Sequence, residues 1–186
     1  MDKAVVLIID MLNDFFAAGP LGARPLQACR ADLVQSINHL VRLARQHHTP
    51  IIWVKQEYAP DLHDAPLEVR KKKIAITIAG TEGCQLLAEL DKQPADFVLV
   101  KKRYSAFFGT ELDQLLGQWQ PQRIILAGIN THACVRTTAI DAYQRDYEVV
   151  LAEECIASYD REHHTISMRY MAGKIAQVLR NAEIFA

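Results

Sequence analysis

Short apolar runs, each closed by a polar residue or a glycine, punctuate the chain. They are Ala4-Val5-Val6-Leu7-Ile8-Ile9, Pro50-Ile51-Ile52-Trp53-Val54, Asp96-Phe97-Val98-Leu99-Val100, Ile124-Ile125-Leu126-Ala127 and Tyr147-Glu148-Val149-Val150-Leu151. They are continuous rather than alternating, which is the signature of strands covered on both faces of a parallel sheet. Helical spacing falls between them. Asp32 is placed to cap a helix to about His47, with Leu33, Ile37, Leu40, Val41 and Ala44 on one face. A second helix is expected from Thr81 to about Asp91, a third from a Thr110 cap through Leu116, and a fourth from Ala133 to Arg145. Asp160 or Arg161 opens a last long helix to about Arg180, and Ile184-Phe185 reads as a short sixth strand. Strands alternating with helices predict one domain over residues 1–186. Its class is α/β: a three-layer, doubly wound, Rossmann-like and mostly parallel sheet.

Two stretches resist this reading. Met11 to Pro25 holds Asn13, Gly19, Pro20 and Gly22 and is expected to be irregular. Lys55 to Lys73 is polar, and its basic run Arg70-Lys71-Lys72-Lys73 is expected to be a solvated face or a helix end.

The composition narrows the class. With 186 residues the chain can bury a sizeable core, and 50% hydrophobic against 23% charged residues is ordinary for a globular protein. A formal net charge of −1 gives no support for nucleic-acid or anionic-membrane partners. No apolar run reaches membrane-spanning length. Cys29, Cys84, Cys134 and Cys155 are widely spaced, without the paired motif of a zinc or dithiol site, which fits a reducing cytoplasm.

In open α/β sheets, sites lie beyond the carboxyl ends of the strands. The residues there are Asp10, Gln56, Glu57, Lys101, Cys134, Glu153 and Glu154. Asp10 ends a wholly apolar strand and needs a cationic or hydrogen-bonding partner, and Lys101 is a candidate. If the first, third and fourth strands lie side by side, Asp10, Lys101 and Cys134 converge. A cysteine at the first turn of a helix gains from free N–H groups and the helix dipole, and its pKa is expected to fall. A carboxylate can take its proton and return it to a leaving amine. The alternative is a buried Asp–Lys pair that steadies the sheet end beside an inert cysteine, and convergence alone leaves both open. His132, two residues from Cys134, is expected at the rim rather than as a base. His47-His48 and His163-His164 are expected to face solvent. Asp61 and His63 resemble a metal-ligand pair in a polar loop, where such residues are common, and no metal is expected.

Three motifs then bring a family into view: Leu7-Ile8-Ile9-Asp10-Met11-Leu12-Asn13-Asp14-Phe15-Phe16, Val100-Lys101-Lys102-Arg103-Tyr104-Ser105-Ala106-Phe107-Phe108-Gly109-Thr110-Glu111-Leu112, and Leu126-Ala127-Gly128-Ile129-Asn130-Thr131-His132-Ala133-Cys134-Val135. In these the chain resembles the isochorismatase-like cysteine hydrolases, which include nicotinamidases and N-carbamoylsarcosine amidases, from Ala4 to about Ile184. The resemblance implies Asp10 as proton carrier, Lys101 as electrostatic partner and Cys134 as nucleophile. It implies a cis peptide joining Ile129 to Asn130 that aims the Asn130 N–H, with that of Cys134, at an oxyanion. It places Phe15, Tyr104 and Phe107 at positions that line the family's pocket. It also suggests a homo-oligomer, dimer or tetramer, acting on a small molecule without a cofactor. One departure stands out. Where nicotinamidases carry Asp-x-His after the second strand, this chain has Gln56-Glu57-Tyr58. The expected activity is hydrolysis of a small amide, carbamoyl or ureido compound. Alternatives are an isochorismate-type vinyl ether hydrolase, and a non-catalytic binder or thiol sensor.

Overall fold

A computed structural model describes residues 3–17 and 24–186. The expected loop glycines Gly19 and Gly22, with Pro20, lie outside the described residues. Among the described residues, β1 (Ala4–Ile9), β2 (Ile51–Gln56), β3 (Phe97–Lys101), β4 (Arg123–Gly128), β5 (Glu148–Ile156) and β6 (Ala176–Leu179) form one sheet. Its order is β3-β2-β1-β4-β5-β6, and every pairing is parallel.

Period-two alternation in β1 divides the core. Val6 and Ile8 join the cluster under α2 (Arg24–Gln46), whose Leu33, Ile37, Leu40, Val41 and Ala44 are all buried there. Val5, Leu7 and Ile9 join the opposite cluster. Helices α4 (Leu112–Trp119), α5 (Arg136–Tyr143) and α6 (Arg161–Met171) cover that face with Leu112, Leu116, Ala139, Ala142 and Met171. The central strands β1, β2 and β4 are thus covered on both faces, which is why they read as unbroken apolar runs, whereas on the edge strand β3 Phe97, Val98 and Val100 stay exposed. Short helices α1 (Asn13–Phe16), α3 (Leu67–Lys72) and α7 (Asn181–Ile184) complete the fold.

Several expected elements differ. Asp32 lies inside α2, which is already helical at Arg24. The helix expected over Thr81–Asp91 is one 3₁₀ turn, Glu82–Cys84, followed by irregular chain. The Leu87 and Leu90 spacing imitates a helix, but this backbone is committed elsewhere. Leu87 N–H donates to Met11 O at 3.0 Å, and Gln85 O accepts from Asn13 N–H at 3.0 Å. The last long helix stops at Met171. Asp160 does cap it, accepting from His163 N–H at 2.9 Å. Gly173 at φ 71° turns the chain, and Ala176–Leu179 becomes β6. Ile184-Phe185 is therefore not a strand; Ile184 ends α7. The run Arg70–Lys73 closes α3, with Lys73 left-handed just beyond it, as a helix end should.

Crossovers reverse direction between β1 and β4, so a crevice opens outside their carboxyl ends. Gly128 makes it possible: at φ 105°, a Cβ there would stand 2.0 Å from Ile9 O.

Candidate active site

Asp10 leaves β1 in a left-handed conformation, φ 56°, with its N–H held by Val54 O at 2.8 Å. This bend turns its carboxylate over the sheet end. Oδ1 accepts from Gln56 N–H at 2.8 Å. Oδ2 lies 2.7 Å from Lys101 Nζ, and both side chains are sealed from solvent.

Lys101 does not come from a neighbouring strand. β3 is separated from β1 by β2, so the expected side-by-side arrangement of the first, third and fourth strands is corrected. Two strand spacings are about 9.6 Å. The long lysine stem crosses the end of β2 to cover that gap. Its ammonium also donates to Arg103 O at 3.1 Å and to Cys134 Sγ at 3.3 Å. One ammonium thus touches the carboxylate and the sulfur together.

Cys134 stands at the start of a helical segment, as expected, but in a π-helical turn, Thr131–Val135, that precedes α5. The peptide Ile129–Asn130 is cis. Asn130 O accepts from Ala133 N–H at 3.0 Å and from Val135 N–H at 3.2 Å, passing over the Cys134 N–H between them. The Asn130 N–H itself meets no acceptor among the described residues. Asn130 Oδ1 accepts from Tyr159 N–H at 3.3 Å, which fixes that side chain.

The electrostatics differ from expectation in one respect. Cys134 is 4% exposed, and its thiol is pushed up to about 12 rather than lowered. Burial is the largest cause; Lys101 pulls the other way, and Asp10 adds to the rise. Proximity to a helix start is outweighed because the charged form would be desolvated. For Lys101, burial alone would lower the pKa, but Asp10 and Cys134 hold it above its ordinary value. The resting arrangement is an Asp10–Lys101 ion pair beside a neutral thiol. Oδ2 of Asp10, close to the ammonium but outside hydrogen-bonding angles, keeps a lone pair free.

The remaining candidates scatter. Phe15 is half-buried and bridges the α2-side cluster to a small cluster around Tyr58. Tyr104 is exposed at the rim. Phe107 is buried in the same cluster as Cys134, but one ring face is taken by the Arg145 guanidinium at 4.3 Å. His132 makes no bond to Cys134; its Nδ1 pairs with Ser158 Oγ at 2.7 Å, a rim placement as expected. His163 is exposed, but His164 is not: its Nδ1 contacts Thr131 Oγ1 at 2.8 Å. Thr131 Oγ1 already donates to Ala157 O at 3.0 Å, so His164 is the donor of that pair. Tyr58, which sequence reasoning noted only as part of a missing motif, proves to be buried in this region.

The metal ligands of nicotinamidases have no counterpart here. Gln56 Nε2 is bonded to Thr77 Oγ1 at 3.2 Å, and exposed Asp61 and His63 pair with each other at 2.6 Å. Among the described residues, no group of three or more His, Cys, Asp or Glu is placed to hold a metal ion. The donor set does not fit that metal.

Comparison with known proteins agrees with this fold. The isochorismatase domain model matches residues 4–183. The isochorismatase family protein YaaI of Bacillus subtilis is 33% identical over 171 residues, 91% of this chain and 88% of that one. The crystal structure of an isochorismatase family protein from Desulfovibrio vulgaris superposes with a TM-score of 0.90 at 27% identity, covering 98% of this chain and 96% of the other. N-carbamoylsarcosine amidase from Thermoplasma acidophilum does so at 0.80 and 26%, covering 99% of each.

Proposed function

Starting from the fact that the chain belongs to the isochorismatase family of hydrolases, we propose that it is a cysteine hydrolase cleaving the C–N bond of a small amide, carbamoyl or ureido compound. The observation that carries this reading is Lys101 Nζ set 2.7 Å from Asp10 Oδ2 and 3.3 Å from Cys134 Sγ.

The chemistry follows from the protonation states. The thiol of Cys134 is neutral at rest, so deprotonation accompanies attack. Asp10 Oδ2 takes the thiol proton as sulfur bonds to the carbonyl carbon. Lys101 compensates the negative charge as it passes between oxygen and sulfur. The oxyanion is held by the N–H groups of Asn130 and Cys134. The tetrahedral intermediate collapses with loss of the C–N bond, and Asp10 hands its proton to the departing nitrogen. Water then enters and gives a proton to Asp10, and its oxygen attacks the thioester carbon. Release of the acid expels the sulfur, which recovers the proton from Asp10.

The test is ammonia release from a panel of small amides, ureas and carbamoyl acids, with wild type and Cys134→Ala run together, with and without chelator. Release by wild type alone, unchanged by chelator, is expected. Full turnover by Cys134→Ala would defeat the reading. Pyruvate from isochorismate, without ammonia from any amide, would assign vinyl ether hydrolysis instead.

A further inference from the structure

The sheet ends in two edge strands, β3 and β6, and the chain treats them differently. At β6 it folds back on its own edge: Gly173 N–H donates to Ala176 O at 3.1 Å, and the outward side chain of that strand is the polar Gln177. At β3 there is no such cover. Phe97 to Val100 carry no charge, no proline and no bulge, the usual guards of an edge strand. Phe97 is 43% exposed on one face of the strand, and Val98 and Val100 are 42% and 39% exposed on the other. A run with the composition of a central strand thus stands at the margin of the sheet.

The backbone of β3 has a definite sense. Lys101 O accepts from Glu57 N–H at 3.3 Å, so Lys101, and by alternation Leu99 and Phe97, turn their peptide groups toward β2. Val98 and Val100 therefore turn theirs to the free edge. Neither meets a hydrogen-bond partner among the described residues. Two donors and two acceptors stand in line there, disposed evenly about Leu99.

We propose that β3 pairs antiparallel with β3 of a second copy of this chain, across a two-fold axis at Leu99, so that the two six-stranded sheets become one. The edge complements itself, and that is why the occupant is a second copy. In this register Val98 stands opposite Val100 of the second copy, and each such pair exchanges both of its hydrogen bonds. Every outward peptide group of the strand then has a partner. The valines of both copies meet on one face of the joined sheet. On the other face Leu99 meets its twin, flanked by Phe97, whose ring stands edge-on to Trp119 at 4.8 Å. The charges also agree: Asp96 falls opposite Lys102 of the second copy, and no like charges face each other along the pair.

The test combines light scattering on a sizing column with amide hydrogen exchange, and neither readout depends on the hydrolase reading. Wild type should show twice the mass of the chain, with the Val98 and Val100 amides protected. Val98→Lys/Val100→Lys, at two exposed positions, sets like charges across the axis and should fall to the mass of one chain, with both amides exchanging freely. Val98→Thr/Val100→Thr keeps the strand shape and should remain paired. A tetramer that the lysine variant halves into dimers supports the pairing as well. A wild-type mass of one chain at the highest attainable concentration, or an oligomer that the lysine variant leaves intact, would overturn the proposal. So would an oligomer whose Val98 and Val100 amides exchange freely, a readout that needs no variant to fold.

Discussion

A buried ammonium that touches both a carboxylate and a thiol decides where the negative charge rests. Here it rests on Asp10, because Cys134 is pushed up to about 12. The alkylation rate of Cys134 by iodoacetamide should therefore rise with pH well beyond neutrality. A rate already on its plateau at neutral pH would mean a preformed thiolate and would contradict this state. The Asp10–Lys101 pair is sealed at 1% and 0% side-chain exposure, so removing one partner strands the other. Lys101→Met should cost about 3–5 kcal/mol in denaturant unfolding as well as abolish turnover. A variant as stable as wild type would show that the pair is not buried as described. Asp10, Lys101 and Cys134 were legible in the sequence as polar residues just past apolar strands. The protonation state was not: it depends on how completely the surrounding chain excludes water. The burial of Tyr58 was missed because an aromatic in a polar stretch carries no sign of what will cover it.

At the level of elements, the strands were legible wherever both faces are covered, because burial alone demands apolar runs. Helices were legible where one face packs on the sheet, as with Leu33 to Ala44 in α2. Chain that packs through its backbone was not legible. Residues 82–90 bury Cys84, Leu87 and Leu90 while their peptide groups hold the loop after β1. Ile175 to Leu179 suits a helix or a strand, and only the free edge beside β5 decides between them. Two close approaches constrain the chain after β1 and β4. Gly128→Ala would drive a Cβ into Ile9 O at a left-handed φ, so the loss should exceed about 1 kcal/mol in thermal or denaturant unfolding. At Gly83, a Cβ would stand 2.2 Å from Asp14 Oδ1. Asp14 Oδ2 also accepts from Thr77 N–H at 2.6 Å, next to Ile78 and opposite Tyr58. Gly83→Ala should therefore push Asp14 off the Thr77 N–H and lower the thermal unfolding midpoint; an unchanged midpoint would show that this contact does not hold the loop.

For the whole molecule, the strand order places the reversal of crossovers between β1 and β4, and that crevice is where Asp10 and Cys134 meet. The order itself was not readable, and the assumed neighbours were wrong. The site assembles because a lysine stem spans the gap. The homo-oligomer expected from the family resemblance predicts a light-scattering mass at least twice that of the chain; a monomer mass would remove it. The central claim is that Cys134 becomes acylated during hydrolysis. Its most direct test is acid quenching during turnover of a compound that releases ammonia, followed by peptide mass analysis. An added acyl mass on Cys134, removed by hydroxylamine and absent in Cys134→Ala, is the predicted result. Steady ammonia release with Cys134 unmodified at every quench time, and with Cys134→Ala equally active, would contradict it.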